Sequence, residues 1–457
     1  MEVTLRVLLV SNGFPPRHWA GTETYTAGVA QELEKRNYQV QVLCGGDWEK
    51  GSAYFNGHTD SHYHNIPVRR LNLNWMNASD PFLYLYNSPV IADYITTYLS
   101  EIQPDVVHVM SCERLSASVL KAIKVAGLPL ILSLTDFWFL CPRINLLSSD
   151  GTNCDGQTAA WDCLECMLRH TKAYRWVRGI LPDQTVPALL ETISQYPLLT
   201  RQPGLRGMAG DMAARKAYLQ QALTWPDYRL TASHFVHDVF INNGVAAPIK
   251  VQAYGHDLAW LSSYHGKISS DVIRFGFIGQ INHHKGVHLL LQAAEFLQET
   301  VGDKFSLSIY GNMNKAPNYS AKLRELGQQI KNIKYCGTYP HEQSSDVFSN
   351  LDILVVPSVW YDFPLIIYEA FATQTPVIAT NLGGMAEAIT HNVNGLLFKR
   401  NDIADLGRQM YRLIKEPRLL DQLKVGVPSV KTIDQEIDEL ELIYHQALAQ
   451  KQSLAQG

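Results

Sequence analysis

The sequence predicts an α/β protein built from two successive doubly wound domains, each with a largely parallel sheet. Short buried-strand runs alternate with helical patterns in both halves of the chain, which is typical of Rossmann-like domains. The chain has 457 residues, too many for one ordinary hydrophobic core. A break in the pattern at residues 250–270 separates the two halves. We therefore expect two domains that face each other across a cleft, with ligands at the carboxyl ends of the strands.

The first half opens with a strand, a loop rich in glycine and proline, a helix over residues 22–36 and a second strand. We assign residues 1–255 to an N-terminal domain, with a cysteine-rich loop at 141–166 and an insertion at about 167–226. The predicted strands of this domain are residues 7–10, 38–46, 105–110, 128–136 and 228–233.

The second half repeats this order of elements after a linker at residues 256–270. A second Rossmann-like domain is predicted over 271–425, with a helix beginning at about Val287. Residues 426–457 are predicted to form an amphipathic helix that packs back across the domain junction. The predicted strands of the second domain are residues 273–279, 305–312, 333–339, 351–358 and 376–380.

Composition narrows the class of function. The chain is 46% hydrophobic and 18% charged, and its formal net charge of −4 argues against general nucleic-acid binding. No apolar run approaches the length of a membrane span, and the N-terminal run is too short for a signal peptide, so we expect a cytoplasmic protein. One local basic cluster fits either a solvated helix face or peripheral contact with the inner face of an anionic membrane. Its members are Arg169, Lys172, Arg175 and Arg178.

The stretch "VWYDFPLIIYEAFATQTPVIATNLGGMAEAI" at residues 359–389 combines acids with tight turns. It predicts a helix with Pro364 in its first turn, a buried strand, and a second helix that Gly383 and Gly384 open. Free N–H groups at such helix starts favour phosphate, whereas the carboxylates of Asp362 and Glu369 favour hydroxyl groups. This combination of N–H groups and carboxylates suits a ligand that carries both phosphate and hydroxyl groups.

Four stretches together resemble the retaining nucleotide-sugar glycosyltransferases of family 4, which have the GT-B fold. They are "VSNGFPPRHWAGTETYTAGVAQEL", "FGFIGQINHHKGVHLLLQA", "LDILVVPSVWYDFPLIIYEAFATQTPVIATNLGGMAEAI" and "NGLLF". The resemblance implies sugar transfer from a nucleotide-diphosphate sugar to a hydroxyl of a glycan, lipid-linked saccharide or small molecule, in polysaccharide or glycolipid biosynthesis. It also implies retention of configuration by front-face attack, and no cofactor for catalysis besides the nucleotide-sugar co-substrate.

The resemblance assigns donor contacts along the chain. Lys285 would supply positive charge to the leaving diphosphate. Family members commonly carry an arginine just after the strand's glycine, Gly279, but Gln280 stands here, so one cationic contact is missing or comes from elsewhere. Gly21 would let the backbone approach the donor phosphates, with Thr22 as a possible N-cap. The expected donor-binding residues are Gly21, Gly279, Gln280, Lys285, Phe363, Pro364, Leu365, Glu369, Gly383 and Gly384.

The family's paired acids are altered in this chain. Glu369 matches the second acid, which addresses the nucleotide ribose, but Tyr361 occupies the register of the first. Either the loop is one residue shorter and Asp362 contacts the donor sugar, or that role is lost. On the acceptor side, Thr135 replaces a histidine found in many members, while Asp136 remains to orient the acceptor hydroxyl. The residues expected to carry catalysis are Asp136, Lys285, Asp362 and Glu369.

The roles of two strand-end residues and of a group of cysteines can each be interpreted in two ways. His108, at a strand end, is either an acceptor-side residue or a satisfied core histidine, and Asp136 could be a loop-capping aspartate. Four cysteines in one loop, with a terminal Cys-x2-Cys, fit either a structural zinc site or free thiols in a cytosolic protein. They are Cys141, Cys154, Cys163 and Cys166.

Two other classes of function make different demands on the sequence. A nucleotide-dependent oxidoreductase would show G-x-G-x-x-G after the first strand, a pattern that Ser11–Pro16 does not fit. A catalytically inactive GT-B protein that binds nucleotide sugars is the other alternative, because Asp362, Gln280 and Thr135 all depart from the family pattern.

Overall fold

The computed structural model describes residues 4–180, 185–194, 196, 208–361 and 364–456. The chain forms two compact units, of which the first comprises Met1–Tyr254 with Ile433–Gly457 and the second Gly255–Thr432. Each unit contains one sheet in which parallel neighbours dominate, with helices in the connections between strands. The predicted α/β class with two parallel-dominated sheets is confirmed.

The sheet of the first unit has eight strands in the order β3-β4-β2-β1-β5-β6-β7-β8. All neighbours are parallel except the antiparallel pair β3 and β4. The direction of winding changes between β1 and β5, which is where α/β sheets bind ligands. The strands are β1 Arg6–Ser11, β2 Gln39–Trp48, β3 Phe55–Tyr63, β4 Ile66–Leu73, β5 Val106–Val109, β6 Leu130–Ser133, β7 Tyr228–Thr231 and β8 Lys250–Val251.

The strands β3 and β4 were not predicted. β3 reads "FNGHTDSHY", and none of its side chains is fully buried, so it lacks the apolar run by which the other strands were found. Its pairing with β4 supplies its hydrogen bonds instead. The search for buried runs therefore missed a strand at the edge of the sheet.

The helices of the first unit connect its strands and cover its sheet. In α1, Val29 and Leu33 lie one turn apart and are fully buried, which is the face that the helical periodicity predicts. The C-terminal helix, Ile433–Gln456, packs against α1 and β5, and Tyr25 Oη donates to Glu436 Oε1 at 2.6 Å. The helices are α1 Gly21–Lys35, α2 Pro81–Tyr86, α3 Pro89–Ile102, α4 Ser118–Val125, α5 Ala160–Leu168, α6 Lys172–Ile180, α7 Thr185–Ser194, α8 Met208–Ala222 and α9 His234–Asn242.

The sheet of the second unit has six parallel strands in the order β11-β10-β9-β12-β13-β14. Its strands are β9 Ile273–Ile278, β10 Phe305–Tyr310, β11 Ile333–Gly337, β12 Ile353–Val356, β13 Val377–Thr380 and β14 Gly395–Phe398. Its helices are α10 Val287–Val301, α11 Pro317–Gly327, α12 Ser344–Ser349, α13 Ile366–Ala372, α14 Gly383–Ala388, α15 Ile403–Lys415 and α16 Leu419–Val425.

The segment at residues 256–270, which we expected to be a linker, is packed within the second unit. Trp260 is 5% exposed and stacks on Phe348 with ring centres 5.7 Å apart. The core of the unit lies on both faces of the sheet, as expected for parallel strands covered by helices. Among the helices that the structure describes in either unit, none is long and apolar enough to cross a membrane.

Candidate functional site

Polar side chains of the first unit meet where three adjacent strands end. Asn12 follows β1, Ser111 and Glu113 follow β5, and Asp136 follows β6. Asn12 Nδ2 donates to Glu113 Oε2 at 3.0 Å, and Ser111 Oγ donates to Asp136 Oδ2 at 3.4 Å. The carboxyl ends of parallel strands share one edge of the sheet, so residues distant in sequence come together there.

Asp136 is half-buried at this edge. Its Oδ1 accepts the backbone N–H of Trp138 at 2.8 Å, as a loop-capping aspartate does. Burial raises its pKa to about 7, the N–H of Trp138 opposes that rise, and the charge of Glu113 adds to it. Asp136 can therefore exist in both protonation states near neutral pH. Its assignment to the acceptor stays a prediction.

The two residues predicted beside Asp136 have different surroundings. Thr135 Oγ1 donates to the carbonyl of Met110 at 2.9 Å and joins the ends of β5 and β6. His108 is fully buried, and its ring nitrogens lie 2.8 Å from Tyr444 Oη and 2.9 Å from Ser133 Oγ. Burial lowers the pKa of His108 to about 3. The geometry fits a satisfied core histidine, the second of its two sequence interpretations.

Gly21 is the first residue of α1, and its N-cap is Ala20, whose extended backbone carries no side-chain cap. The prediction of Thr22 as N-cap is wrong, because Thr22 already lies within the helix. A Cβ built on Gly21 would meet nothing within 4 Å, so the space beside this glycine is open. The acid of the first turn, Glu23, is buried, and the motif analysis did not select it.

In the second unit, the loop after β9 carries Lys285 and Gly286. The side chain of Asn282 accepts the N–H of Lys285 at 3.2 Å, and Gly286 has φ +73. Nζ of Lys285 lies 5.7 Å from the centre of the Trp360 ring, within cation–π range. The loops after β9 and β12 therefore meet, and Lys285 lies where they join.

The residues after Gly279 depart from the family pattern. Gly279 donates its N–H to Tyr310 at 3.1 Å, and the exposed Gln280 accepts from Asn282 at 3.3 Å. A cation that the motifs did not include also reaches the loop after β12, because Arg400 Nε donates to the carbonyl of Val359 at 2.7 Å. The second unit therefore holds positive charge at this edge from two separate loops.

Glu369 lies on α13 with its side chain 19% exposed and its Oε1 3.9 Å from His341 Nε2. The pKa of Glu369 is raised, mainly by burial. The charge of Asp257 adds to this rise, whereas His341 opposes it. The helix begins at Ile366, and Pro364 precedes it in a turn in which its carbonyl accepts the N–H of Ile367 at 3.1 Å. Pro364 was expected within the first helical turn, so the start of the helix was placed too early.

Asp362, predicted as a catalytic residue, and Phe363, predicted as a donor-binding residue, lie outside the described residues. Leu365 is the N-cap of α13. Gly383 and Gly384 open α14 as predicted, with Gly383 at φ +53, a conformation that favours glycine.

The structure gives no support to a zinc site at the four cysteines of the loop. In the part of the chain that the structure describes, no three His, Cys, Asp or Glu side chains form a group that could hold a metal ion. Cys163 and Cys166 both lie on α5, but the sulfur of Cys163 contacts Thr158 Oγ1 at 3.2 Å, whereas that of Cys166 accepts the N–H of Ser149 at 3.3 Å. Cys141 and Cys154 are free thiols as well. The zinc prediction is therefore unsupported.

The basic cluster is partly neutralised within the first unit. Arg169 lies 3.0 Å from Asp150, and both Arg169 and Arg178 lie 3.5 Å from Glu165. Lys172 and Arg175 are exposed. Paired arginines beside exposed cations fit a solvated helix face.

Solved structures share this fold along nearly the whole chain. Sucrose-phosphate synthase from Thermosynechococcus elongatus superposes with a TM-score of 0.63 at 15% identity, covering 97% of this chain and 99% of that one. The Anabaena protein HepE in complex with UDP and glucose gives 0.60 at 15% identity, covering 96% and 99%. Together with the two parallel-dominated sheets, these neighbours define a GT-B protein.

Family models match both units. The model "Glycosyl transferase 4-like domain" matches residues 20–171, and the model "Glycosyl transferases group 1" matches residues 265–426. The chain belongs to the glycosyltransferases of the family 4 type, and the resemblance inferred from its motifs is confirmed.

Curated relatives match part of the chain. A D-inositol 3-phosphate glycosyltransferase of Corynebacterium urealyticum is 33% identical over 140 residues, which is 30% of this chain and 32% of that protein. A 2-deoxystreptamine glucosyltransferase of Streptomyces kanamyceticus is 28% identical over 152 residues, or 33% and 39%. The matches thus span about a third of each relative.

Proposed function

We propose that the chain transfers a sugar from a nucleotide-diphosphate sugar to an acceptor hydroxyl with retention of anomeric configuration. The observation that carries this proposal is the loop junction of the second unit, where Lys285 lies over Trp360 and Gly286 fixes the loop. A family 4-type chain with this motif in place has the group that a diphosphate leaving group requires. The second unit would bind the donor and the first unit the acceptor.

The donor half would act through charge and hydrogen bonding. Lys285 would stabilise the charge that develops on the diphosphate as the glycosidic bond breaks. Arg400, held at 2.7 Å from the carbonyl of Val359, would supply the second cation that Gln280 cannot. The carboxylate of Glu369 would accept a hydrogen bond from a hydroxyl group of the nucleotide ribose. Backbone groups of Leu365, Gly383 and Gly384 would complete the pocket.

The acceptor half would act through Asp136. In front-face attack, the acceptor oxygen bonds to the anomeric carbon on the side that the diphosphate leaves, and its proton passes to the departing phosphate oxygen. Asp136 would orient that hydroxyl by accepting a hydrogen bond from it when ionised, and its raised pKa leaves both the ionised and the protonated form accessible near neutral pH. No covalent glycosyl-enzyme would form.

UDP-sugars are the first donors to test, because the HepE structures contain UDP with glucose and UDP-glucose. The experiment incubates the purified chain with UDP-glucose and with GDP- and ADP-glucose, and follows release of the nucleoside diphosphate with and without polyol acceptors. Release that depends on acceptor supports transfer. No observation favours the alternative of an inactive nucleotide-sugar-binding protein, and the same assay distinguishes the two.

We also propose that the helix α6 contacts the surface of an anionic membrane. Trp176 of α6 is 71% exposed and follows the exposed Arg175, a pairing that suits the interface of an anionic bilayer. Sedimentation with vesicles of anionic and of neutral lipid tests it, and binding to neither would remove it.

A further inference from the structure

The segment at residues 256–260 packs against the helix that carries Glu369. The ring of His256 stacks on that of Tyr368 with ring centres 4.7 Å apart, and Tyr368 precedes Glu369 on α13. Asp257 follows His256, and its charge acts on Glu369. Oδ1 of Asp257 accepts a backbone N–H of the same segment at 3.1 Å, which fixes its side chain.

A second loop brings a histidine to Glu369. His341 begins the short helical turn His341–Gln343 that follows β11, and its Nε2 lies 3.9 Å from Glu369 Oε1. The ring of His341 also makes a T-shaped contact with the buried Trp260, with ring centres 6.4 Å apart. The side chain of His341 is 42% exposed, so the ring can exchange its proton with solvent.

Asp257 and His341 act on Glu369 in opposite directions. Burial and the negative charge of Asp257 raise the pKa of Glu369, whereas His341 lowers it. In the described part of the chain, no hydrogen bond to the carboxylate offsets the rise. Tyr339 also faces Glu369, but burial and the charge of Glu369 raise the pKa of its hydroxyl, which stays neutral. Of these neighbours, His341 is the one that favours the ionised carboxylate.

The charge of a histidine responds to pH in the direction that helps a buried carboxylate. Histidine gains its proton as the pH falls from 8 to 5, which is also the direction in which a carboxyl group with a raised pKa loses its charge. A protonated ring 3.9 Å from Glu369 favours the ionised form. An ionised carboxylate accepts hydrogen bonds at both oxygens, whereas the protonated form gives up one acceptor position to its own proton.

We propose that His341 is a positioning residue of the donor site: its ring maintains Glu369 as a carboxylate that accepts hydrogen bonds from the ribose hydroxyls, against the opposing charge of Asp257. The inference rests on the proposed function for the ribose contact itself. It adds the two residues that set the pH range of that contact, and neither lies in the stretches that resemble the family.

The test compares two ligands of the full chain, a nucleoside diphosphate and its 2′,3′-dideoxy analogue. UDP, GDP and ADP are compared by isothermal titration calorimetry, and the tightest binder is used with its analogue. Both ligands carry the same diphosphate, so the ratio of their Kd values reports the ribose contact and cancels the titration of the phosphate. We expect the parent chain at about pH 8 to prefer the ribose form about tenfold or more, the effect of hydrogen bonds to a charged group.

The variants should move the pH at which this preference falls on acidification. His341→Gln should move the fall to higher pH, because the pKa of Glu369 rises when the cation is lost, whereas Asp257→Asn should move it to lower pH. His265→Gln removes an exposed histidine and is the matched control, with the profile of the parent. In Glu369→Gln the preference should weaken and lose its pH dependence, and adding His341→Gln should then change nothing.

Three results would overturn the inference: a parent-like profile in His341→Gln, a shift of Asp257→Asn in the same direction as His341→Gln, or an equal effect of His341→Gln with and without Glu369. Thermal unfolding identifies any loss of fold, and if His341→Gln does not fold, the direction of the shift in Asp257→Asn decides. Failure of the donor assignment looks different. In that case Glu369→Gln binds both ligands as the parent does, or none of the three diphosphates binds, and the inference is lost together with that assignment.

Discussion

The carbonyl oxygen of Pro357 occupies the place where any side chain on Gly286 would begin. A Cβ built on Gly286 would lie 1.9 Å from that oxygen, and the glycine has φ +73, a conformation that side chains rarely adopt. This contact holds the loop after β9 against the loop after β12, and Lys285 and Trp360 are the neighbours that it positions.

Gly286→Ala should therefore destabilise the second unit by at least about 2 kcal/mol, because backbone strain and a clash with backbone add. Gly337→Ala is the matched control, since Gly337 has φ +72 but nothing within 4 Å of its Cβ position. Urea unfolding of both variants checks this, and equal losses would show that the contact with Pro357 is unimportant.

Lys285→Ala and Glu369→Ala should each weaken donor use by roughly 1.5–3 kcal/mol, the value of a charge-assisted hydrogen bond, without unfolding the protein. Arg400→Gln should cause a smaller loss of the same kind. Lys334→Ala removes an exposed lysine from β11 and serves as the control. Unchanged kcat/KM for the nucleotide sugar in the Lys285 or Glu369 variant would remove its donor assignment.

Asp136 should make stability depend on pH. Burial raises its pKa from 3.8 to about 7, so the folded chain binds a proton more tightly than the unfolded chain does. Its contribution is most favourable below pH 4 and is lost as the pH rises through 7. The nearby titratable groups are Glu23, Glu113, Cys112 and Tyr254. In Asp136→Asn, the fall in Tm between about pH 4 and pH 7, the window that these two pKa values set, should be smaller than in the parent. An identical fall would refute the raised pKa.

Asp362 and Tyr361 should differ in importance if the acid has taken the sugar-contacting role. Asp362→Asn keeps the shape but removes the charge, and should lower turnover on the order of ten- to a hundredfold. Tyr361→Phe should change turnover little. A fully active Asp362→Asn enzyme would mean that the donor sugar is held mainly by backbone groups near Leu365.

Local patterns were sufficient for much of the fold. The segments from β1 to β2 and from β9 to α10 can be predicted from apolar runs, helical periodicity and glycine turns, because these signals depend on only a few neighbouring residues. The edge strand β3 was missed because its side chains are mostly polar.

The site was harder to predict because its burial depends on distant residues. His108 is shielded by Tyr444, which follows it by 336 residues, and His341, on the loop after β11, reaches Glu369 on α13 only once the sheet is formed. The zinc prediction used cysteine spacing, which does not specify where each sulfur points.

The most direct test of the central claim is the anomeric configuration of the product formed from the nucleotide sugar that supports turnover. Proton NMR of the reaction in progress reports the anomeric coupling constant before the product can re-equilibrate. The account predicts nucleoside diphosphate and a glycoside with the same configuration as the donor, with no glycosyl-enzyme in the mass spectrum of the protein. Inversion at the anomeric carbon, or a covalently glycosylated chain, would contradict it.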